Sequence, residues 1–426
     1  MSQPNHADSY YEATAVDAPK LDRLDGDTGC DVCVIGGGFT GLSAALHLAE
    51  SDYEVVLLEA GRVGWGASGR NGGQLGSGQR RDQESLERML GNDVASKLWS
   101  LAEAAKAAVK ERIRRHQIPC DLKPGILHVA HKAPHAEWFA HYADKLRTQY
   151  NYPHIRSVSR EEVSEMLGTH IYFGGNLDTD AGHLHPLNYA IGLAQAGLGA
   201  GARLFEGSRV TGYDQKSPTT VHTPYGCVKA DYVVLACNGY LDSLEPRVSG
   251  RIIPINNFIL ATEPLGDDRA RSIIRDDVAI ADSKFVINYF RLSADKRLLF
   301  GGGENYTRRF PRDIKAFVRN YMLRVYPQLA DARIDYAWGG TLAITMRRLP
   351  HFGRLDPNVF FAQGFSGHGV ALTTLAGKLI AEAVAGTAER FDVFASIPTP
   401  DFPGGTLLRW PGLVAGMLYY SLRDKL

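Results

Sequence analysis

A glycine-rich turn between an apolar strand and a helix constrains the fold of this chain more than any other feature. Residues 31–35 predict a buried strand, and residues 39–50 predict a helix with apolar residues at helical spacing. The run GGGFTG at 36–41 lies between them and fits G-x-G-x-x-G. Its first glycine permits a tight turn, its second lets the backbone approach a pyrophosphate, and its third lets the helix pack against the strand. The pattern therefore predicts a parallel α/β sheet with a dinucleotide-binding site.

The residue that ends the next predicted strand narrows the choice of dinucleotide. Residues 54–58 form a second apolar run, which completes a β-α-β unit and ends at Glu59. A carboxylate at this place accepts hydrogen bonds from the ribose hydroxyls and repels a 2′-phosphate, which disfavours NADP. Residues 60–78 then stay glycine-rich, where an NAD-binding domain would continue into a helix. A second glycine-rich run at 363–369 precedes another predicted helix, and the two runs together favour FAD over NAD.

Charge and cysteine content exclude several classes of protein. Lys and Arg total 47 and Asp and Glu total 47, so the net charge of zero argues against a nucleic-acid partner. The five cysteines are too sparse for a disulfide framework, and no Cys and His spacing predicts a metal site. With no signal-peptide pattern and no apolar run near the roughly 20 residues that span a bilayer, we expect a cytoplasmic protein. Residues 410–420 are interpreted as a packed terminal helix, with docking on a membrane surface as the alternative.

Three runs together resemble the D-amino-acid oxidase superfamily of FAD-dependent oxidoreductases. They are the GGGFTG fingerprint, GASGRNGGQ at 66–74 and GFSGHG at 364–369. Further matching runs, among them GHLHPLN at 182–188 and YFRLSADKRLLFGGG at 289–303, extend the resemblance over the whole chain. The resemblance implies an α/β (α+β overall) fold with two lobes. In such a fold a Rossmann-type FAD-binding domain with a parallel sheet is interleaved with a mixed-sheet substrate domain.

The two implied domains alternate along the chain. No linker of biased composition separates any two parts of the sequence, as expected for interleaved domains. The resemblance assigns residues 1–117, 165–255 and 335–426 to the FAD-binding domain, the last segment including the C-terminal tail. It assigns residues 118–164 and 256–334 to the substrate domain.

The fingerprint and the resemblance together assign the FAD contacts. The residues expected to bind FAD are Gly36, Gly38, Phe39, Thr40, Gly41, Glu59, Arg62, Ala67, Ser68, Arg70, Asn71, Gly72, Gln74, Val210, Gly364, Gly367, His368 and Gly369. The side-chain amides of Asn71 and Gln74 are expected at the edge of the flavin ring. We expect FAD to bind non-covalently, because residues 338–345 lack the cysteine that attaches flavin in sarcosine oxidases. Val370 and Ala371 stand where those enzymes carry an aromatic residue and a lysine, which favours the amine-oxidising subfamily.

The resemblance implies an FAD-dependent amine oxidase that acts on gamma-glutamylputrescine or a related acylated polyamine. In putrescine breakdown, the primary amine of this small molecule is oxidised to an aldehyde with release of ammonia and hydrogen peroxide. Oxygen or another electron acceptor is the second partner. A desolvated pocket keeps the amine neutral, as loss of hydride from its carbon requires. Two alternatives stay open: an amino-acid dehydrogenase that passes electrons to a quinone, and a flavin-binding regulatory protein without turnover.

Three residues are candidates for contact with the substrate or the reacting part of the flavin. His368 lies within the second glycine-rich run, where it could orient the substrate or brace the loop. Tyr289 and Arg291 alternate on a predicted strand and share one face, and Arg291 could pair with a substrate carboxylate. His183 and His185 also alternate, and we favour structural hydrogen bonds over pocket lining for both.

Overall fold

A computed structural model describes residues 5–305 and 309–403, so the predicted terminal helix at 410–420 lies outside the described residues. The strands are β1 Thr28–Ile35, β2 Val55–Leu58, β3 Gln74–Leu75, β4 Lys123–Val129, β5 Ile155–Val158, β6 Gly175–His183, β7 Arg203–Phe205, β8 Gly212–Tyr213, β9 Thr219–Thr223, β10 Gly226–Leu235, β11 Ile253–Thr262, β12 Ala279–Asp282, β13 Tyr289–Leu292, β14 Leu298–Asn305, β15 Ile334–Ile344, β16 His351–Asp356 and β17 Val359–Gln363. The helices are α1 Tyr10–Ala13, α2 Phe39–Ala49, α3 Gln83–Leu90, α4 Asn92–Arg115, α5 Ala133–Gln149, α6 Arg160–Leu167, α7 Pro186–Gly199, α8 Pro246–Ser249, α9 Asp267–Ile273, α10 Ile314–Val325, α11 Gly369–Val384 and α12 Glu389–Ala395. The expected combination of helices with two sheets is confirmed.

The first sheet is the predicted parallel sheet. Its strand order is β16-β17-β10-β1-β2-β7, and β9 and β8 extend it beside β10. The strands from β17 to β7 run parallel, while β16 and β9 pair antiparallel with their neighbours. On β1, Val32 and Val34 pack into the core that α2, α4, α7 and α11 share, and Cys33 and Ile35 enter the core on the opposite face. Burial on both faces explains why this strand reads as a continuous apolar run.

The second sheet is mixed, and helices α6, α9 and α10 cover one of its faces. Its order is β15-β11-β14-β13-β12-β4-β6-β3, with β5 beside β6. The pairs are antiparallel except for β12 and β4. On β4, Leu127 and Val129 pack into the core that this sheet shares with α6, α9 and α10. The alternate residues Ile126 and His128 face the other way, towards the first sheet's edge.

The second sheet takes more of the chain than the two segments that the resemblance assigns to it. Residues 118–164 supply β4 and β5, and residues 256–334 supply β12, β13, β14 and most of β11. Strand β6 lies within 165–255, and β15 continues from Ile334 to Ile344. The division into domains stays a prediction: the described strands pass between the two sheets four times, as it implies, but the crossings fall at other positions in the chain.

Membrane and metal features were searched over the same described residues. None of the helices there combines the length and apolar character that crossing a bilayer requires. The five cysteines are free thiols, and within the described ranges no three His, Cys, Asp or Glu side chains converge as a metal site.

Candidate cofactor and substrate site

A cavity of about 1630 Å³ lies between the carboxyl ends of the first sheet and the inner face of the second. Ligands of open α/β sheets bind at this edge of the sheet. A pocket for a single small ligand measures about 300–1,000 Å³. The cavity is therefore large enough for an extended dinucleotide together with a second small molecule.

The glycine-rich turn forms one wall of this cavity through its backbone. Gly36 has a φ of +113°, and a Cβ added there would lie 2.8 Å from the carbonyl oxygen of Ala236. A Cβ added at Gly38 would lie 2.9 Å from the Ser68 hydroxyl, and one at Gly41 only 1.9 Å from the carbonyl oxygen of Gly36. The turn therefore brings the N-terminus of α2 to the cavity, where its amides and dipole favour phosphate.

Glu59 lines the cavity at the end of β2, as predicted. Its Oε2 accepts a hydrogen bond from the Gly37 N–H at 2.6 Å, and its Oε1 accepts one from the Gly61 N–H at 2.7 Å. Burial raises the pKa of Glu59, and these two N–H donors oppose that shift. The carboxylate thus links the glycine turn to the segment after β2. We call residues 36–41 together with Glu59 and Gly61 the cradle.

Hydrogen bonds within the segment after the cradle hold it in place along the cavity. The Asn71 side chain donates to the carbonyl oxygens of Ala67 (3.0 Å) and Ser68 (2.9 Å) and accepts from the Gly73 N–H at 2.7 Å. Asn71 therefore lines the cavity while its amide braces the loop, a role that the sequence did not predict. Gln74 also lines the cavity and donates to the carbonyl oxygen of Ile280 at 2.8 Å.

Most of the predicted cofactor residues line the cavity, and three support it from behind the wall. Those on the wall are Gly36, Gly38, Phe39, Thr40, Glu59, Ala67, Ser68, Arg70, Asn71, Gly72, Gln74, Val210, Gly367, His368 and Gly369. Gly41 instead permits the close packing of α2, and Arg62 lies 3.8 Å from the carboxylate of Glu206. Gly364, with a φ of +73°, donates its N–H to Asn238 Oδ1. These three shape the cavity rather than face it.

His368 lies at the cavity wall at the start of α11. A Cβ added at Gly76 would lie 2.8 Å from its Cε1, so this glycine makes room for the ring. Burial, and next the charge of Arg80, lower the pKa of His368 to about 4. Its Nε2 has no hydrogen-bond partner among the described residues. The ring is therefore neutral near pH 7 and presents a nitrogen that a ligand can use.

Tyr289 and Arg291 share one face of β13, as predicted, but only Tyr289 lines the cavity. The Arg291 guanidinium donates to the carbonyl oxygens of Gly72 at 2.9 Å and Leu184 at 2.8 Å, and to the Tyr11 hydroxyl at 3.2 Å. The side chain is 5% exposed. The proposed pairing of Arg291 with a substrate carboxylate is therefore corrected, because its donors are occupied by Gly72, Leu184 and Tyr11.

The two alternating histidines do not face the cavity together. Strand β6 ends at His183, whose Nε2 lies 2.9 Å from the carbonyl oxygen of Asp277. His185 caps the N-terminus of α7, where its Nδ1 accepts from the Asn188 N–H at 3.1 Å. Burial lowers the pKa of each histidine to about 3. Both are structural, as the sequence favoured.

The structure adds cavity residues from the second sheet that sequence analysis missed. In the pairing of β4 with β6, Ile126 lies opposite Asp178 and His128 opposite Asn176. Side chains of such pairs share a face of the sheet, and these four line the cavity together with Ala281 of β12. We call these five residues the roof. The alternation of Asn176 with Asp178 was visible in the sequence, but the strand that pairs with it was not.

Two arginines from separate loops also line the cavity. Arg80 lies just before α3, and its charge lowers the pKa of both His128 and His368. Arg348 follows a predicted strand, where the sequence favours surface pairing over contact with a substrate carboxylate. The structure places it on the cavity wall with its guanidinium 4.5 Å from the centre of the Phe285 ring. The charge of Arg80 thus acts on the roof residue His128 and on His368.

Comparison with known proteins decides the family. Residues 31–383, most of the chain, match the family of DAO-type FAD-dependent oxidoreductases. The chain belongs to the DAO family.

Individual relatives of this DAO-family chain extend over its whole length. It is 44% identical over 422 residues to the gamma-glutamylputrescine oxidoreductase of Escherichia coli (strain K12), with 99% of both chains covered. It is 41% identical over 418 residues to the probable oxidoreductase OrdL of Rhizobium meliloti (strain 1021), covering 98% of this chain and 97% of that protein. The crystal structure of glycine oxidase from Geobacillus kaustophilus has the same fold, with a TM-score of 0.71 at 22% identity over 84% of this chain and 95% of that chain.

The cavity residues fit the FAD that DAO-family enzymes use. The cradle offers helix amides for a pyrophosphate, and Glu59 stands at the strand end where ribose hydroxyls bind. The same cavity is also lined by most of residues 65–76 and by Tyr289 and His368. FAD stretched along this wall would be held at its nucleotide end by the cradle and would reach Tyr289 and His368 at its flavin end.

Proposed function

We propose that this protein is an amine oxidase that acts on gamma-glutamylputrescine or a closely related acylated polyamine. The observation that carries the proposal is the similarity to the gamma-glutamylputrescine oxidoreductase of Escherichia coli over 99% of both chains. The products are an aldehyde, ammonia and, with oxygen as electron acceptor, hydrogen peroxide. The cavity supports the proposal because its volume of about 1630 Å³ leaves room for an acylated amine beside FAD.

The protein's own residues prepare the amine for oxidation. When bound, FAD supplies the two-electron acceptor for the carbon that bears the nitrogen. The cavity wall carries apolar side chains such as Ile126, Trp138 and Phe139, which desolvate a bound amine so that its pKa falls. His368 is neutral near pH 7 and can accept a hydrogen bond from the amine at its Nε2. These residues bind and orient a neutral amine.

We also propose that FAD is held without a covalent bond. Cys237 is the cavity-lining cysteine, and burial raises the pKa of its thiol to about 12. A thiol must lose its proton to act as a nucleophile, so this cysteine is unreactive near pH 7. Denaturation of the purified protein with acid should release all yellow colour into the supernatant. Colour that remains with the precipitated chain would refute non-covalent binding.

The substrate is tested by anaerobic mixing of the purified yellow protein with single amines. Gamma-glutamylputrescine should bleach the flavin band, while putrescine, sarcosine and D-alanine should leave it nearly unchanged on the same time scale. Bleaching by only sarcosine or D-alanine would refute the proposal. In air, peroxide should form in equal amount to the aldehyde. Aldehyde that forms only after addition of a quinone would instead support the dehydrogenase alternative.

A further inference from the structure

The roof carries a polar group of residues on a face that is otherwise apolar. His128, Asn176 and Asp178 line the cavity beside Ile126 and Ala281. Asn176 is 2% exposed and Asp178 is 3% exposed. Such burial is unfavourable for polar side chains unless they have partners. The roof therefore needs an explanation that packing alone does not supply.

Neutral donors hold the Asp178 carboxylate on one side only. Its Oδ1 accepts from the Tyr152 hydroxyl at 2.7 Å, the Asp180 N–H at 3.1 Å and the Ala181 N–H at 3.0 Å. Burial, reinforced by the charge of Asp178, raises the pKa of Tyr152, so its hydroxyl remains a donor. All three hydrogen bonds end on Oδ1. The second oxygen of this cavity-lining carboxylate is left for a ligand.

The cations nearest to this carboxylate are engaged elsewhere. Lys106 is 1% exposed and donates to the Tyr152 hydroxyl at 2.8 Å, and it pairs with Asp180 at 2.8 Å and with Glu103 at 2.9 Å. Lys110 pairs with Asp180 at 2.5 Å. In the described ranges no salt bridge reaches Asp178 itself. The network fixes the position of Asp178 but gives its negative charge no direct counter-ion.

Asn176 provides a second, independent sign of a missing ligand. Its Oδ1 is buried and has no hydrogen-bond partner among the described residues. A buried acceptor of this kind is rare unless a ligand or ordered water donates to it. The roof thus presents two acceptors, one of them charged, and a cationic group with several N–H donors would satisfy both.

The charged residues around the roof indicate which second group the cationic ligand carries. Burial lowers the pKa of His128. The negative charge of Asp178 opposes this shift and the positive charge of Arg80 adds to it, so both charges act on His128. Arg80 also lines the cavity. A carboxylate and an arginine on the wall of one cavity complement a ligand that carries both an ammonium and a carboxylate.

We propose that Asp178 and Asn176 bind the α-ammonium group of the gamma-glutamyl end of the substrate. The inference rests on the proposed function for the identity of the substrate and adds which of its groups the roof recognises. Asp178 accepts through Oδ2 and Asn176 through Oδ1, so the end that is not oxidised is fixed by its positive charge. The terminal amine is then free to lie on the flavin side of the cavity.

Binding of two unreactive analogues to the holoenzyme tests this directly. Gamma-glutamylbutylamide keeps the α-ammonium group, whereas glutarylbutylamide has the same carboxylate and amide without it. Neither has the terminal amine, so calorimetry measures binding without turnover. The first analogue should bind at least about 30-fold more tightly, as expected for a buried charge pair. Equal dissociation constants would overturn the proposal.

A variant pair separates recognition from a structural role. Asp178→Asn can keep the three hydrogen bonds at Oδ1 while it replaces Oδ2 with a donor. The preference for gamma-glutamylbutylamide over glutarylbutylamide should then fall to less than about threefold. Asp180→Asn alters the same network away from the cavity wall and should keep the preference. Asn176→Ala should reduce the preference about tenfold. A preference that persists in Asp178→Asn would overturn the proposal.

Turnover of gamma-glutamylputrescine is measured in a separate experiment, so that the proposed function and the proposed ammonium subsite can be refuted independently. If the wild-type holoenzyme prefers gamma-glutamylbutylamide but gamma-glutamylputrescine does not bleach the flavin, the proposed function fails and the subsite stands. If gamma-glutamylputrescine is oxidised but the two analogues bind equally, the proposed function stands and the subsite fails.

Discussion

The cradle and the roof face one another across the cavity but are made in different ways. The cradle presents backbone: an added Cβ at Gly36, Gly38 or Gly41 would meet another atom at 2.9 Å or less. The roof presents side chains, and His128, Asn176 and Asp178 come from two strands that pair in register. The first surface suits a cofactor with constant shape, while the second can change with the substrate without disturbing the fold.

This difference also sets how a substitution acts. A change in the cradle alters backbone position, so it should affect stability and FAD content together. A change on the roof should alter selection among substrates while FAD stays bound. Substitutions of residues between the two surfaces should lower stability and leave the selection among substrates unchanged. Four substitutions test this division, and the one with the largest expected effect concerns the cradle.

Gly41→Ala should remove FAD and destabilise the protein. The new Cβ would lie 1.9 Å from the carbonyl oxygen of Gly36, so α2 would have to move away from β1. We expect the free energy of unfolding to fall by about 4 kcal/mol or more. Denaturant unfolding and the ratio of flavin to protein absorbance measure both effects.

Gly197→Ala is the matched control, because this helical glycine in α7 has no atom within 4 Å of an added Cβ. It should be neutral or stabilise by up to about 1 kcal/mol. Normal FAD content in Gly41→Ala would contradict the view that the cradle depends on backbone approach.

Arg291→Met tests a residue between the two surfaces. The change leaves the carbonyl oxygens of Gly72 and Leu184 without their donor, and we expect the free energy of unfolding to fall by about 2–4 kcal/mol. The ratio of kcat/KM for gamma-glutamylputrescine to that for N-acetylputrescine should stay as in the wild type. A selective loss of activity on gamma-glutamylputrescine would show that Arg291 binds the substrate carboxylate after all.

The sequence predicted the cradle well because its residues are contiguous. Strand, glycine turn, helix and Glu59 fall within about thirty residues, and each has a local physical reason. The composition of residues 83–117, rich in Ala, Leu, Lys and Glu, predicts a helical stretch there, and the structure divides it into α3 and α4 at Gly91, whose φ is +83°. A single glycine within a helical pattern does not show whether the chain turns there.

The roof escaped sequence analysis because its residues are close only after two strands pair. Nothing local in β4 indicates that His128 will lie opposite Asn176, nearly fifty residues later. Arg291 shows a different limit of prediction. Alternation correctly predicted that it shares a strand face with Tyr289, but the acceptors that occupy its guanidinium belong to residues distant in sequence. Pattern predicts a residue's face, whereas its role depends on tertiary partners.

Glu59→Gln returns to the cradle with a smaller expected effect. One backbone N–H, of Gly37 or Gly61, would meet the amide nitrogen in place of an acceptor. We expect the affinity for FAD to fall about 10- to 100-fold, as for one unsatisfied buried donor. Fluorescence titration of apoprotein with FAD measures it. Glu54→Gln, at the exposed position just before the same strand, is the control and should bind FAD normally. Equal losses in both variants would contradict a specific role for Glu59.

His368→Gln should have the smallest effect. It tests whether His368, which lies between the cradle and the roof, changes its protonation state during turnover. With a pKa of about 4, His368 carries no charge change between pH 6 and pH 9. The rate of anaerobic flavin reduction should therefore fall less than about tenfold, below the 100-fold or more typical of a lost general acid or base. The pH profiles of wild type and variant should run parallel over this range. A limb between pH 6 and pH 8 that disappears in the variant would show that His368 takes up or releases a proton during turnover, and so acts on the reaction rather than on position.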